Sequence, residues 1–374
     1  MKAFKRTMIP VLCVVLLGQS GCWSQKLFED IGFILQMGLE SAPDNRIQLS
    51  VTSPVVETGV EEKVEFEYTT VESLIRSSRE KIRNVSGKML QGGKIQHLYF
   101  SRELAEKGIQ EYMEIFLRDP ENPLLANIMV VDGSPKEMME ASLQFKDKAR
   151  PGIYVAKLIE DAHNRFAAPE ARIFNYVIWY HSGTIDPITT FIQYGDQDIR
   201  MAGTALFSGD KMVGTINVDQ TMLLNALRGK CRQLEYVYRG MVPGENTADL
   251  KKGAVFHVIH PKCRFEICTD GDRPVIKVKF KSEVALDEDA GPHGLEKEEV
   301  QKDLEKILEE SMEKDILALL KHLQEVGSDP IGFGEILRAK QNAYWKSVNW
   351  KEKYKTAEFT VEVKVNLNTY GTIS

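Results

Sequence analysis

Two C-terminal segments restrict the architecture of this sequence more than anything else in it. Val300, Leu304, Ile307, Leu308, Met312, Ile316, Leu319, Leu320 and Leu323 fall on one side of a helix, with Glu and Lys around the rest. Further on, Phe359, Val361, Val363, Val365 and Leu367 alternate with Thr360, Glu362, Lys364, Asn366 and Asn368, the period of a strand with one wet face. A helix with a stripe to bury and strands with one apolar face predict a helix-covered antiparallel sheet. Ile276, Val278 and Phe280, alternating with lysines, supply another strand for it. Val255–Ile259 and Arg264–Cys268 are expected as short strands around a His260-Pro261 corner, a solvated break spans Asp287–Gly294, and Gly327 suits the position just past the long helix.

The N-terminal half mixes both periods. Ile47, Leu49 and Val51 alternate with polar residues, as do Val64, Phe66 and Tyr68. Val71, Leu74, Ile75, Ser78 and Ile82 are spaced as a helix, and Leu27–Leu39 fits either element. Ile95–Phe100 reads as a strand, Ser101 as the cap of a short helix ended by Gly108, and Ile109–Leu117 as a further helix. Ile128–Val131 is a continuous apolar run, as in a central strand covered on both faces. Ile153–Phe166 is expected to be helical and Phe174–Tyr180 a strand. Met201–Phe207 and Lys211–Ile216 flank Ser208-Gly209-Asp210 as a hairpin. Asp219 can cap a helix through Leu227, and Gly244–Gly253 reads as a linker. The fold class is therefore α+β (mixed α/β), with three dissimilar domains over residues 22–190, 191–250 and 251–374, mixed or antiparallel sheets with packed helices, and the long helix in the third.

Between the long helix and the last strand lies Asp329-Pro330-Ile331-Gly332-Phe333-Gly334. Asp329 can cap a helix whose first position suits Pro330. Gly332 and Gly334 so near a helix start cost about 0.5–1 kcal/mol each against Ala, which implies close backbone approach or unusual dihedrals. The segment runs on through Arg338 and Trp345 to Trp350. Its indoles either plug the edge of the core, the role expected of Trp345, or form a docking surface for a partner.

The first residues carry a different message. Lys2, Lys5 and Arg6 precede the uncharged run Met8–Leu17, and small residues lead into Cys22. This is the pattern of an export signal over residues 1–21, and its apolar run is too short for the about 20 residues of a spanning helix. A cysteine directly after Ser20-Gly21 matches a lipobox, so Cys22 is expected to carry a diacylglycerol and an N-acyl chain. Loss of the signal takes the net charge from −6 to −9, a surface with no affinity for nucleic acid. Cys231, Cys263 and Cys268 remain; one bridge between the last two is open, but buried thiols are the expectation.

Lipobox-Cys22-Trp23, Ala202–Phe207 with Gly209–Gly214, Asp329–Gly334, Trp345 with Trp350, and a terminus near Gly371-Thr372-Ile373 together resemble the Ger(x)C family. These are the lipoprotein C subunits of spore-germination nutrient receptors. The likeness covers nearly the whole mature chain and is most specific over Gly203–Gly214 and Asp329–Trp350. It implies three mixed α/β domains, no catalytic role and no cofactor beyond the lipid on Cys22. It also implies two membrane-embedded receptor subunits as partners and tethering to the outer leaflet of the spore inner membrane.

No catalytic constellation competes strongly with that reading. His181-Ser182 lacks a Gly-x-Ser-x-Gly context, and Arg228-Gly229-Lys230 lacks the rest of a phosphate loop. His257, His260, Cys263 and Cys268 are zinc-capable types, but strand residues three apart point to opposite faces. The alternative from another class is an extracytoplasmic solute-binding lipoprotein or small hydrolase. A solute binder would show two similar lobes about a hinge, which this chain does not.

Overall fold

The computed structural model describes residues 31–54, 65–118, 122–145, 148, 151–240, 253–270, 273–289 and 298–368. Cys22, the signal and nearly all of the Gly244–Gly253 linker lie outside them. In chain order the elements begin with β1 (Ile31–Phe33), β2 (Gln36–Ala42), β3 (Arg46–Pro54), β4 (Glu65–Glu72), α1 (Ile75–Ser86), β5 (Met89–Gln91) and β6 (His97–Ser101). There follow α2 (Arg102–Lys107), α3 (Gln110–Arg118), β7 (Asn127–Val131), α4 (Pro135–Leu143), α5 (Pro151–Asn164), α6 (Ile173–Ser182), β8 (Ile188–Tyr194), β9 (Ile199–Ser208) and β10 (Lys211–Ile216). The remainder comprises α7 (Val218–Leu227), β11 (Gln233–Tyr238), β12 (Ala254–Asp270), β13 (Arg273–Asp289), α8 (Glu298–Glu325), α9 (Phe333–Lys340), α10 (Asn342–Ser347), α11 (Trp350–Lys355) and β14 (Glu358–Leu367).

The fold is α+β, built on two large sheets. The first has eight strands in the order β10-β9-β8-β7-β6-β2-β3-β4. Its centre, β2, β6, β7 and β8, is parallel, and antiparallel strands flank it on both sides. The uninterrupted run Ile128–Val131 sits at that centre, fully buried, because helices cover both faces. The hairpin read around Gly209 forms, with φ 66° at that glycine, and its two strands complete one edge of this sheet. Ser101 caps α2, its Oγ accepting from the Leu104 amide, and Gly108 ends it. Below the amino end of β2, β1 pairs with β5 as a separate two-stranded ribbon.

The second sheet has the order β11-β12-β13-β14, and α8 lays its stripe of buried Leu304, Leu308, Met312, Ile316, Leu319, Leu320 and Leu323 across it. Here the expectation of an antiparallel sheet fails at one place: β14 runs parallel to β13. The connection between them contains four helices, which return the chain to the end where β13 began, as a parallel crossover requires. One core cluster joins the sheets, running from Ile188, Leu206 and Ile216 through α7 to Phe280, α8 and Trp350.

Other local readings change as well. Phe174–Tyr180 is not a strand but the body of α6. Its run of aromatic and β-branched residues favours a strand, but the element is set by its ends and its packing. Arg172 and Asn175 close its start, Gly183 ends it in the left-handed region, and Tyr176 is buried beneath it. The residues either side of His260-Pro261 form one long strand, β12, with a bulge between Ile259 and Lys262 where His260 takes φ 50°. Asn217, not Asp219, caps α7. Val71 belongs to β4, and β13 continues through Asp287 into the expected break.

Candidate functional site

The Asp329 segment does not start a helix at once. α9 begins at Phe333, preceded by Gly332 at φ 83°, and the Asp329 side chain folds over its first turn. One carboxylate oxygen accepts from the amides of Gly332 (2.9 Å) and Phe333 (3.0 Å). The other accepts from the Gly334 amide (2.8 Å) and from the Trp350 indole Nε1 (3.0 Å). Four N–H donors thus converge on a carboxylate that is 3% exposed.

Both glycines are explained by this geometry. A Cβ on Gly334 would stand 2.7 Å from Trp350 Nε1 and 2.9 Å from the Thr184 carbonyl oxygen. On Gly332 it would meet the Ile185 side chain at 2.8 Å, in a backbone region that already disfavours L-residues.

A second aspartate completes the arrangement. The chain carries Asp-Pro-Ile twice, at Asp186-Pro187-Ile188 and Asp329-Pro330-Ile331. The two copies meet: the Asp186 amide donates to the Asp329 carbonyl (3.0 Å), and the Asp329 amide donates to Asp186 Oδ2 (2.9 Å). Asp186 Oδ1 also accepts from the Gly209 amide (2.8 Å) and faces Lys351 Nζ at 3.6 Å. Ser328 Oγ donates to the Phe207 carbonyl, and Thr184 Oγ1 to Glu335. The segment leading into β8, the β9–β10 turn and the α8–α9 loop are therefore locked together.

Burial pushes the Asp329 carboxyl up from 3.8 to about 6; the N–H donors pull it back, and Asp186 adds to the rise. Arg338 lies on the surface, where it ion-pairs with Glu335 and holds that carboxyl below its ordinary range. Of the two indoles, Trp350 is the buried one, its ring centre 5.7 Å from that of Tyr354 with the planes tilted by 41°. Trp345 is half-buried beside it, its ring centre 6.3 Å away. Asp329, Gly332, Gly334 and Trp350 thus form one cluster, with Trp345 at its rim and Arg338 outside it. Nothing in the sequence marks Thr184, Asp186 and Gly209 as partners of this segment except the repeated Asp-Pro-Ile.

The other candidate groups are dispersed. Ser182 Oγ donates to the Trp179 carbonyl and accepts from the Thr184 amide, so it closes the end of α6. His257, His260, Cys263 and Cys268 are strung along β12. Cys263 and Cys268 are free thiols five residues apart on that strand, far beyond disulfide reach; Cys268 is exposed, contrary to the buried thiol expected. Arg228 stacks over the Trp179 ring at 4.7 Å. Among the described residues no cluster of three or more His, Cys, Asp or Glu is placed to hold a metal.

Two sheets sharing one core and clamped by paired Asp-Pro-Ile segments define an α+β protein whose most distinctive polar cluster is internal and architectural. The class and the family then coincide. The family model described as "Spore germination protein N-terminal domain" matches residues 24–194, and "Spore germination B3/ GerAC like, C-terminal" matches residues 202–371. The chain belongs to this GerAC-like family of spore germination proteins. It is 20% identical to "Spore germination protein GerQC" of Bacillus cereus, over 96% of this chain and 97% of the relative. It is 21% identical to "Spore germination protein B3" of Bacillus subtilis (strain 168), over 97% of each. Among solved structures, "Crystal Structure of the GerBC protein" shares the fold with a TM-score of 0.58 at 16% identity, covering 88% of this chain and 96% of that one.

Proposed function

We propose that this chain is a non-enzymatic, lipid-anchored subunit of a germinant receptor complex. In this reading it is held on the outer leaflet of the spore inner membrane through Cys22 and works by contact with two membrane-embedded subunits. The observation that carries the reading is the ordered match of both germination family models over nearly the whole chain. The site supports a structural rather than a catalytic role, because every oxygen of the Asp329 carboxylate is engaged by donors from its own chain. No described helix is long and apolar enough to cross a membrane, and attachment is assigned to Cys22 following Ser20-Gly21.

The test is purification of the tagged protein from spore membranes, with and without Cys22→Ala. The wild type should carry acyl chains on Cys22 and bring two membrane subunits with it. The variant should lose the acyl mass and, with those subunits deleted, leave the membrane fraction, because two chains are what stable anchoring requires. Persistence of the variant in salt-washed membranes lacking the subunits would overturn the anchor, and purification without any membrane subunit would overturn the receptor role.

A further inference from the structure

Among the described helices α6 alone has no Asp, Glu, Lys or Arg, and it leaves apolar side chains outside. Phe174 is 50% and Ile178 48% exposed, one turn apart on the same face. Beside them Leu124 is 38% and Leu125 65% exposed, and the Phe174 amide donates to the Leu124 carbonyl at 2.9 Å. Large apolar residues left outside on one helix face and on the segment hydrogen-bonded to its start need a reason, whereas one exposed Leu would not.

The place of this patch supplies the reason. Leu35, Gln96 and Asn127 stand side by side where β2, β6 and β7 begin: the Gln96 amide donates to the Leu35 carbonyl, and the Asn127 amide to that of Gln96. Neighbouring strands are about 4.8 Å apart, so Leu35 lies on the order of 10 Å from the strand whose start carries the patch. The Ile173 amide in turn bonds the Ala126 carbonyl at that start. Ile31, the first described residue, is four residues before Leu35, and Cys22 is nine before Ile31. Nine residues reach at most about 30 Å. The described chain therefore begins near the same rim of the eight-stranded sheet that bears the exposed patch, and a lipid on Cys22 is within about 30 Å of that beginning.

We infer that this rim is the membrane-facing end of the molecule, with Leu124, Leu125, Phe174 and Ile178 seated in the headgroup boundary of a lipid bilayer. The inference rests on the lipid-anchor reading of Cys22. A bilayer fits better than a protein partner because the most exposed large residues here are Leu, Ile and Phe. Tyr176 is buried, Trp179 and Tyr180 are half-buried, and Arg172 at the start of α6 is ion-paired with Glu170 at 3.7 Å. Apolar contact is also what a chain of net charge −9 must rely on at an anionic surface, and an uncharged helix lying against the interface adds no repulsion.

The experiment replaces Phe174, Ile178 or, as a control, Leu74 by photoreactive benzoylphenylalanine in the full chain in its own membranes. Leu74 is 64% exposed and follows β4 at the opposite rim, near the residues that pair with the carboxyl end of β2. All three variants should melt as the wild type does. Irradiation should give lipid adducts at 174 and 178 and none above background at 74. Adducts with a membrane protein instead of lipid, or equal lipid adducts at all three positions, would overturn the inference. The mass of the N-terminal peptide, read in the same sample, keeps the two readings apart. Acylated Cys22 without lipid adducts defeats the patch alone, and adducts with unacylated Cys22 defeat the anchor alone. The absence of both defeats both.

Discussion

Asp329 and His97 are both buried, both held away from their ordinary protonation equilibria, and they respond to pH in opposite senses. His97 is 1% exposed, its Nε2 faces the Gly152 carbonyl at 3.3 Å, and burial pushes its pKa down to about 4. Facing a carbonyl, that nitrogen must donate, so the folded ring is neutral with its proton on Nε2. Between about 6.5 and 4 the unfolded chain binds the extra proton, and stability present above that window is lost as pH falls, by about 3 kcal/mol. For Asp329 the folded chain binds the extra proton between 3.8 and about 6, so stability is lost as pH rises through that window, again by about 3 kcal/mol. The two contributions largely cancel in the wild type. Chemical denaturation from about pH 4 to 7 should therefore show stability rising more steeply with pH in Asp329→Asn than in the wild type, and less steeply in His97→Gln. Asp329→Asn should also be weaker overall, by at least about 3 kcal/mol, because its amide turns a donor toward N–H groups that need an acceptor. Equal pH slopes in all three proteins would refute this account.

At the scale of elements, α8 does more than bury its stripe. Glu305, Glu309 and Glu313 are spaced four apart on one side of it, and each accepts from a backbone amide of β14: Leu367 at 2.7 Å, Val365 at 3.2 Å and Val363 at 3.0 Å. β14 is an outer strand, and its unpaired amides would otherwise be a template for pairing with another chain. Glu309 holds Lys364 as well, at 3.1 Å. Replacing all three glutamates by Ala should lower the melting temperature, at about 1 kcal/mol per amide left unmade, and promote self-association visible by sedimentation velocity. A monomeric triple variant with the wild-type melting temperature would sink the idea. This pattern also marks where the sequence is legible and where it stops. The apolar periodicity of α8 and β14 is strong enough to identify each element, since only a helix or a strand buries those sets. Periodicity is silent on direction, so nothing in Phe359–Leu367 distinguishes a parallel from an antiparallel partner. It is silent too on which polar residues of a helix's wet face are engaged, so Glu305, Glu309 and Glu313 read as solvated charges. α6 fails for the opposite reason: apolar on nearly every position, it has no period to read, and its capping residues decide the outcome. The Asp329 cluster falls between these cases. Its glycines announce a close approach, but of what approaches only Trp350 belongs to the same segment, and Thr184 and Ile185 come from far away in the chain.

For the whole molecule, the first family model ends at residue 194, the end of β8, and the second begins at residue 202, inside β9. Those strands are hydrogen-bonded neighbours, from Ile188 opposite Leu206 to Tyr194 opposite Ile199. The boundary seen by sequence similarity therefore cuts the eight-stranded sheet, and its last two strands come from the C-terminal matched segment. α7 then packs on β9, where Thr204 and Thr221 share a buried hydroxyl bond of 2.9 Å, and carries the common core into the second sheet. A fragment covering 24–194 would turn β8 into an outer strand, with Ile188 and Ile192 uncovered from 0% exposure and Phe191 from 5%. Such an edge is flat, apolar and unpaired, and should drive aggregation. A fragment extended to Arg228 restores β9, β10 and α7, and with them the missing ladder and most of the apolar cover on that side. Expressed alone, the shorter fragment should be found in the insoluble fraction, and the longer one should be recovered as a soluble species that unfolds cooperatively, though less stably than the full chain. Size-exclusion chromatography and thermal denaturation decide the matter. A monodisperse, cooperatively unfolding 24–194 fragment would mean that the two matched segments are independent folding units and that the shared sheet is not what holds them together.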